Sequence, residues 1–454
     1  MGSRSSSSSI LILPGAGHAV VGTGLPPNSM PCAVGGSLAV GCVGLCLGEG
    51  VSIRTPSPGF PAGSPQYRRI LGTLGLGGLA NFAVIYFVQP LLPQFARSFG
   101  VAEGATGAAL SATTLAMMVG LLLAGPLADA LGRIWVMSGS LVLSGLFTLG
   151  CALAPNWEIF LVLRALSGLA LAGLPAIALA YLREQVDNAA HPAANAFYIA
   201  GTAMGGALGR LLPQPLSELG GWQVSAWVLG VFSVLIGVVV MVALPADAPS
   251  KQRLPVHEVL FGTFTVLRHA QIVLICVLGG LIMAVFVGAY NAIALRLEAE
   301  PFNLGNEAAL VYLAYPVGIL APAIFRRIGA RLDRPATVVA GLLLMGVAVA
   351  VTSPDLVATA MFGLGLLTFA FMGTHSMLSG WVVDRAHRLR LSTARASSAY
   401  LVLYYAGSTV SGTLSTHLWS SFGWISVMLW SAALVLAGLV CAGAVAVLQR
   451  RDPA

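Results

Sequence analysis

Gly125-Pro126-Leu127-Ala128-Asp129-Ala130-Leu131-Gly132-Arg133 is a short charged stretch between two apolar runs, Thr106–Leu123 and Ile134–Ala154. Each run is long enough to cross a bilayer as a helix. A charged turn between two such helices must face water, because charges and bare backbone groups are costly in lipid. Gly125 and Gly132 permit a close helix approach and a sharp bend. Asp129 and Arg133 supply one charge of each sign. The alternative interpretation of this stretch alone is an ordinary hairpin between two helices.

The composition excludes a water-soluble globular protein. Hydrophobic residues make up 57% of the 454 residues and charged residues only 9%, whereas soluble domains carry about a quarter charged residues. The net charge of +7 does not indicate nucleic-acid binding, because the basic residues fall in short loops between apolar runs. The six cysteines show no metal-ligand cluster, so neither a metal nor another cofactor is expected. The sequence predicts an all-α polytopic membrane protein.

A window of about 20 residues finds twelve spans after Arg68. They are 70–94, 106–125, 134–154, 157–181, 194–217, 223–244, 270–296, 306–325, 336–353, 357–383, 396–418 and 425–447. The longest loop between spans, about 245–269, follows the sixth span and divides the chain into six spans plus six. We therefore expect an N-terminal six-helix bundle at 67–247, a cytoplasmic linker at 248–269 and a C-terminal six-helix bundle at 270–450.

Residues 1–66 differ in composition from the rest of the chain. They contain a serine run, Ser5–Ser9, and are interrupted by Gly and Pro throughout. The apolar patch Ala33–Gly48 is short and Gly-rich, and it lacks the charged segment and the cleavage site of a signal peptide. We expect 1–66 to be a disordered tail or to lie upstream of the true start, with Met30 as an alternative initiator.

The distribution of basic residues predicts the orientation in the membrane. The loops on one side of the predicted spans carry only Arg97 and Arg296 as basic residues. The loops and ends on the other side carry Lys251 and all the remaining arginines outside the spans, from Arg68 to Arg451. Because loops rich in Lys and Arg stay in the cytoplasm, the sequence predicts that the basic side and both termini are cytoplasmic.

The two halves of the chain repeat each other in sequence. Four residues of the first half, Tyr198, Gly205, Gly221 and Trp222, recur at a constant offset as Tyr400, Gly407, Gly423 and Trp424. Chance matches in a low-complexity apolar chain are the alternative. A constant offset, together with a long loop at the division, favours a parallel repeat of two six-helix units.

The stretch quoted above resembles the signature loop of the major facilitator superfamily, G-x-L-a-D-r-x-G-r-k, between the second and third helices of those transporters. It matches at Gly125, Asp129, Gly132 and Arg133, while Ala130 stands at the middle basic position. The resemblance covers about 70–447. It implies twelve transmembrane helices in two pseudo-symmetric six-helix bundles, with substrate bound between them. It also implies a gating role for the four matching residues, in which Asp129 meets the start of helix eleven at Arg395 and holds the cytoplasmic side shut.

Three residues inside the spans are candidates for coupling or substrate binding. By the boundaries above, every Asp and Glu lies outside the spans or near an end, whereas Arg164, Arg210 and His375 lie within them. Two guanidiniums at similar depth favour an anionic partner, either a substrate or the carboxylates of Glu158 and Glu218. The alternative for both is capping of backbone carbonyls or reaching toward the membrane surface. His375 either titrates, since an unperturbed His has a pKa near ~6.5, or is a neutral side chain bonded to a neighbouring helix.

Arg164 resembles the arginine of the superfamily's second signature, which lies in helix four and is linked to proton transfer or substrate charge. The segment 201–210 resembles the glycine-rich motif of efflux antiporters, g-x-x-x-G-P-x-x-G-G, with Gly206 in place of the proline and Arg210 in place of the final glycine. Helices one, seven and eleven line the cavity in the superfamily. Their polar and aromatic residues, each of which has packing as its alternative role, are Asn81, Tyr86, Gln89, Tyr290, Asn291, Tyr404 and Tyr405.

Together these motifs resemble bacterial inner-membrane exporters of the acriflavin-sensitivity and arabinose-efflux type. That resemblance implies proton-driven export of small, partly apolar compounds by alternating access. It also implies a monomer in the lipid bilayer, with a proton gradient and no bound cofactor. The alternative, which Arg164 and Arg210 favour, is an uptake symporter or facilitator for a small organic anion. An intramembrane enzyme would need paired carboxylates, a His cluster or a Ser/His/Asp set inside the spans, and the sequence places none there.

Overall fold

The structure is a computed structural model that describes residues 59–245, 262 and 265–451. The expectations for residues 1–58, and for most of the linker at 248–269, lie outside the described residues. Residues 59–66, which the sequence assigned to the tail, belong to the helical body. Phe60 exchanges backbone hydrogen bonds with Gln185 and Asp187, and the Ser64 side chain accepts the backbone N–H of Tyr67 at the start of the first helix.

Twelve long helical segments of the described residues correspond to the twelve predicted spans, and short helical turns lie between some of them. The long segments are α1 (Pro65–Phe99), α2 (Glu103–Leu131), α3 (Arg133–Ala152), α4 (Trp157–Gln185), α5 (His191–Leu211), α6 (Trp222–Ala243), α7 (Ala270–Glu298), α8 (Glu307–Gly329), α9 (Arg334–Val351), α10 (Val357–Arg388), α11 (Thr393–Phe422) and α12 (Trp424–Arg451). We call the side on which α1 begins the basic face, and the other side the opposite face. The first half comprises α1–α6 and the second half α7–α12.

Ten of these helices are long and apolar enough to cross a membrane. The exceptions among the described segments are α5 and α11, which are helical as expected but less apolar. The sequence of α5 is rich in Gly and Ala, and that of α11 is rich in Ser and Thr, which lowers their hydropathy. Such helices suit positions inside a bundle, where small residues allow close packing and hydroxyl groups find partners.

Glycines let two helix pairs, α1 with α5 and α7 with α11, approach each other closely. A Cβ on Gly205 of α5 would lie 2.2 Å from the carbonyl oxygen of Leu79 on α1. At the repeated position, a Cβ on Gly407 of α11 would lie 1.9 Å from the carbonyl oxygen of Gly280 on α7. No side chain fits at either contact. The sequence repeat at Gly205 and Gly407 is therefore a repeat of one packing contact.

The other repeated pair marks equivalent helix starts in the two halves. Gly221 and Gly423 have φ angles of +84° and +74°, a region that glycine adopts without steric cost. Each is followed by the Trp that opens the last helix of its half, Trp222 of α6 and Trp424 of α12. A turn that requires glycine thus recurs at the same place in each half.

The stretch that predicted the fold is more helical than the sequence indicated. The expected span ended at residue 125, but α2 continues through Pro126 to Leu131. The turn itself is confined to Gly132, whose φ is +94°, so the sharp bend expected there is present. Gly125 is exposed, and a Cβ there would meet nothing within 4 Å. The close helix approach expected at Gly125 is therefore absent in this conformation.

We predict that Gly407→Ala lowers the yield of folded protein and its unfolding midpoint, because the added methyl group must push α11 away from α7. Overpacking of this kind costs about 1–3 kcal/mol. Gly443→Ala on α12 is the matched control, since a Cβ there meets nothing within 4 Å. Thermal unfolding of both variants in detergent measures the difference. Equal midpoints for the two would contradict the close contact between α7 and α11.

Candidate functional site

The helix α1 is interrupted near the middle of the protein, and the interruption shapes the candidate site. Its first helical segment ends at Tyr86, and a 3₁₀ turn, Gln89–Leu91, precedes a second segment, Leu92–Phe99. Pro90 explains the break, because proline has no N–H to donate and its ring clashes with the carbonyl four residues earlier. The last carbonyls of the first segment are left without partners in their own helix.

Arg164 of α4 satisfies these carbonyls. Its Nη1 and Nη2 donate to the backbone oxygens of Val84 and Ile85 at 3.2 and 3.1 Å. Its Nε donates to the oxygen of Ala109 on α2 at 3.3 Å. The side chain is fully buried. Arg164 therefore caps the broken helix and ties α1, α2 and α4 together, which is the alternative that the sequence left open.

Arg210 of α5 lies in a different environment, at the centre of a cluster of aromatic rings. The guanidinium carbon lies 3.9 Å from the ring centroid of Tyr86 on α1. It also lies 4.9 Å from the ring centroid of Tyr290, 5.7 Å from that of Phe286 and 4.7 Å from that of Tyr315. We call these four rings the aromatic cage. Cation–π attraction of about 0.5–2 kcal/mol per ring stabilises a guanidinium in such a position.

Tyr315 of the cage and its neighbour Tyr312, both on α8, were not among the predicted site residues. The first part of this helix, Gly305–Leu320, is wound as a 3₁₀ helix, in which residues three apart lie on one side. Both rings accordingly meet Tyr290, at centroid distances of 5.7 Å for Tyr312 and 6.2 Å for Tyr315. Two tyrosines spaced by three in an apolar helix are the signal that could have identified them.

His375 lies in the middle of α10, and its Nδ1 is 2.9 Å from the hydroxyl of Tyr400 on α11. The ring packs against Tyr404 at 4.8 Å and against Phe371 at 6.0 Å. It is only partly buried, whereas both arginines are fully buried. The bond to a neighbouring helix agrees with one predicted role, and the partial exposure leaves one edge of the ring accessible from the space between the halves.

A pair of stacked rings connects two of the three predicted coupling residues, Arg210 and His375. Phe286 of the cage and Phe371 of α10 stack at 4.1 Å with an interplanar angle of 11°. Phe371 stacks in turn on His375. Arg210 and His375 therefore belong to one continuous aromatic cluster that crosses from the first half to the second. Neither phenylalanine was predicted as a site residue.

The remaining predicted cavity residues are all buried. Gln89 Nε2 donates to Asn291 Oδ1 at 2.7 Å, and Asn291 Nδ2 donates to the Gly412 oxygen at 2.9 Å. Tyr404 contacts Tyr405 edge-on at 5.1 Å. Asn81 lies apart from these contacts, and its amide has no hydrogen-bond partner among the described residues. Except for Asn81, the predicted cavity residues are thus brought together around the interface between the halves.

Contacts between the halves close the opposite face. Arg97 Nη1 and Glu298 Oε2, at the ends of α1 and α7, form an ion pair at 2.7 Å. Along α2 and α11, Ser111 Oγ donates to the Thr409 oxygen at 2.8 Å, and Thr416 Oγ1 donates to the Gly104 oxygen at 2.7 Å. These bonds run inward from the opposite face toward the aromatic cluster. They seal that side of the interface between the halves.

The predicted gating residues lie at the basic face. Arg133 forms an ion pair with Glu184 of α4, and Arg334 pairs with Asp384; both pairs join helices of the same half. The side chain of Asp129 forms no hydrogen bond or ion pair with another residue that the structure describes. The predicted contact of Asp129 with the start of α11 is therefore absent in this conformation. Glu158 and Glu218, the predicted carboxylate partners of the two arginines, are exposed and form no ion pair with them.

A cleft between the halves opens toward the basic face. It has a volume of about 490 Å³ and is lined by Arg183 of the first half and by Asp384, His387 and Arg388 of the second, among others. Its lining residues lie at the basic-face ends of α4, α10 and α11 and do not include residues of the aromatic cluster.

Comparison with known proteins identifies the family. Residues 74–393 match the sequence model of the Major Facilitator Superfamily. The chain belongs to this superfamily. It is therefore a multi-pass membrane transporter and not an enzyme.

Two curated relatives and one solved structure illustrate the similarity. The chain is 32% identical over 383 residues to the uncharacterised MFS-type transporter YybF of Bacillus subtilis, covering 84% of this chain and 94% of that protein. It is 32% identical over 395 residues to the inner membrane transport protein YnfM of Escherichia coli, covering 86% and 93%. Its fold is similar to that of a bacterial homologue of the human lysosomal transporter Spinster in an inward-facing and occupied conformation. That match has a TM-score of 0.65, 14% identity, and coverage of 86% and 98%.

We predict that Arg164→Lys lowers the unfolding midpoint of the protein. A lysine has one nitrogen and cannot reach three carbonyls on two helices, so buried carbonyls lose their donors at a cost of about 1–3 kcal/mol. Thermal unfolding in detergent measures the loss. The control is Arg450→Lys, at an exposed end of α12. A midpoint for Arg164→Lys equal to that of the control would contradict the capping role.

Proposed function

We propose that the protein is a proton-coupled exporter of small, partly apolar compounds in the inner membrane of a bacterium, working by alternating access. The observation that carries this proposal is the position of His375. It is a partly exposed, titratable side chain inside the aromatic cluster, hydrogen-bonded across to α11. Described acidic residues lie outside the helices or near their ends, so His375 is the side chain of the cluster whose ordinary pKa lies nearest to neutral pH.

The closed opposite face and the cleft at the basic face support an alternating-access cycle. Under the orientation that the basic loops favour, the basic face and both termini are cytoplasmic, and the described conformation faces inward. In the other half of the cycle the bonds across α2 and α11 break and the basic face closes. The proposed closing residues there are Gly125, Asp129, Gly132 and Arg133. Asp129 is the carboxylate available to meet the positive end of α11.

A second candidate function is uptake of a small organic anion, by symport or by facilitated diffusion. Arg210 favours it, because a buried guanidinium without a carboxylate partner attracts an anion. The same cavity serves either direction, and the two functions differ in whether the proton and the substrate move oppositely or together.

We predict that His375→Gln abolishes the response of transport to a pH gradient while downhill transport continues. Glutamine keeps a polar group that can bond to Tyr400 but cannot gain or lose a proton. The measurement uses inverted vesicles with an acidic lumen reported by a pH-sensitive dye. A panel of neutral, cationic and anionic amphiphiles is added, and a transported compound dissipates the acidity if the protein exchanges it for protons.

Tyr400→Phe is the matched control, because it removes the partner of His375 and leaves the imidazole able to titrate. It should retain a response to the gradient. If His375→Gln vesicles respond to the same compounds as the wild type, the histidine is a packing residue and the proton site lies elsewhere. Alkalinisation of the external medium together with substrate entry from that side would favour uptake over export.

We predict, for the orientation, that a cysteine at Glu300 is labelled by a membrane-impermeant maleimide added to intact cells, whereas a cysteine at Arg331 is not. Both positions are exposed, one in the segment between α7 and α8 and one between α8 and α9. The experiment uses a background without the native cysteines. Labelling of Arg331→Cys alone would show that the orientation is the reverse of the predicted one.

A further inference from the structure

The two buried arginines differ in how their nitrogen atoms are satisfied. All three nitrogens of Arg164 donate to backbone carbonyls. Only Nη1 of Arg210 donates, at 2.7 Å, to the oxygen of Gly206 one turn earlier in its own helix. Nε and Nη2 of Arg210 have no hydrogen-bond partner among the described residues, although the side chain is fully buried. Buried polar groups of proteins are nearly always bonded, so unbonded donors on a buried charge require a reason.

The charge of Arg210 is also uncompensated. Arg97, Arg133, Arg296 and Arg334 form ion pairs with carboxylates, whereas none joins Arg210 to a carboxylate among the described residues. The rings of the cage attract the guanidinium through their faces, but neither Nε nor Nη2 has a hydrogen-bond partner among the described residues. A charge held inside a membrane protein without a partner marks a ligand or ion pathway.

The aromatic cage is divided between the two halves of the protein. Arg210 and Tyr86 belong to the first half, whereas Phe286, Tyr290 and Tyr315 belong to the second. Movement of the halves apart must therefore remove the second-half rings from the guanidinium and leave Tyr86 in place. The space around Nε and Nη2 then becomes accessible to a ligand. A cage built from one half alone would stay closed during the same movement.

We propose that Arg210 binds the carboxylate of a small organic monoanion that carries an apolar ring. Nε and Nη2 lie side by side on the edge of the guanidinium, which matches the two oxygens of a carboxylate in a bidentate pair. The ring of the ligand takes the place of the second-half rings next to Tyr86. A cation is repelled by the same group, and a neutral compound leaves its charge uncompensated and cannot form the charge-assisted pair.

Tyr312 adds a second polar contact to this site. Its ring stacks on that of Tyr290, and its hydroxyl has no hydrogen-bond partner among the described residues although it is buried. A phenolic hydroxyl donates readily to a carboxylate. The cage therefore offers three unused donors, on Arg210 and Tyr312, to an anionic group between the halves.

The test measures binding to the purified full-length protein in detergent, without any proton gradient. Benzoate is the anionic probe, and benzamide is its neutral counterpart of nearly equal size. A ligand that binds the folded state raises the unfolding midpoint in proportion to its saturation of the site. We expect benzoate to raise the midpoint of the wild type in a saturable manner and benzamide to have no effect.

Arg210→Gln should weaken benzoate binding about tenfold or more, because it removes the charge and the bidentate pair. Tyr312→Phe, which removes one hydroxyl and keeps the ring that stacks on Tyr290, should give a smaller loss. Arg450→Gln removes an exposed charge far from the cage and should bind as the wild type does. Equal stabilisation by benzoate and benzamide, or unchanged benzoate binding to Arg210→Gln, would overturn the proposal.

This inference rests on the proposed transport function for the route of the anion, and the two fail in different experiments. If benzoate does not bind while neutral or cationic compounds still dissipate the pH gradient, the anion site is wrong and the exporter stands. If benzoate binds through Arg210 but no compound dissipates the gradient, the site stands and proton coupling is wrong.

Discussion

The fold depends on satisfying the backbone where α1 is broken inside the membrane. Hydrocarbon offers no hydrogen bonds, so an interrupted helix is tolerated only where other groups bind the freed carbonyls. Pro90 creates the interruption, and Arg164 donates to the carbonyls of Val84 and Ile85. The break in turn places Tyr86 over Arg210 and Gln89 against Asn291. Arg164 thus acts on the candidate site through the backbone of α1, without contacting the cage itself.

The internal repeat explains why the interface between the halves is lined by matched residues. Gln89 and Asn291 are 202 residues apart, and Arg97 and Glu298 are 201 apart, close to the offset of the sequence repeat. Equivalent positions of two related halves meet where the pseudo-two-fold axis passes between them. A residue of one half then contacts the equivalent residue of the other half. Here an amide side chain bonds to an amide, and a guanidinium pairs with a carboxylate. The closure of the opposite face is a direct consequence of that geometry.

The sequence predicted the helices well because their signals are local. Apolar runs of about 20 residues identify spans without reference to the rest of the chain, and the glycines at 205 and 407 recur at a fixed offset. The end of α2 was misplaced because Pro126 and Asp129 indicated a loop, whereas the structure accommodates both inside the helix. Proline is tolerated there within the longer span, and Gly132 alone supplies the turn.

The site was only partly predictable because the role of each of its residues depends on contacts between segments that are distant in the sequence. A tyrosine in an apolar helix is usually a packing residue, and Tyr312 and Tyr315 become distinctive only when α8 meets α7 and Arg210. The different roles of the two arginines were equally hidden. Both occupy apolar helices, and only the break of α1 shows which one has carbonyls within reach. Sequence patterns identified the charged residues that are costly to bury in apolar helices. Only the fold shows which of them already have hydrogen-bond partners.

The charge of the cargo determines how the membrane potential acts on a transporter built in this way. Moving one charge across the membrane is worth about 2.3 kcal/mol per 100 mV. With a negative interior, export of a monoanion and entry of a proton both release this energy, so exchange is driven by two charges per cycle. Uptake of the same anion with one proton moves no net charge and gains nothing from the potential. An anion bound at Arg210 is therefore compatible with export as well as with uptake. The two directions differ in whether the transport rate responds to the membrane potential.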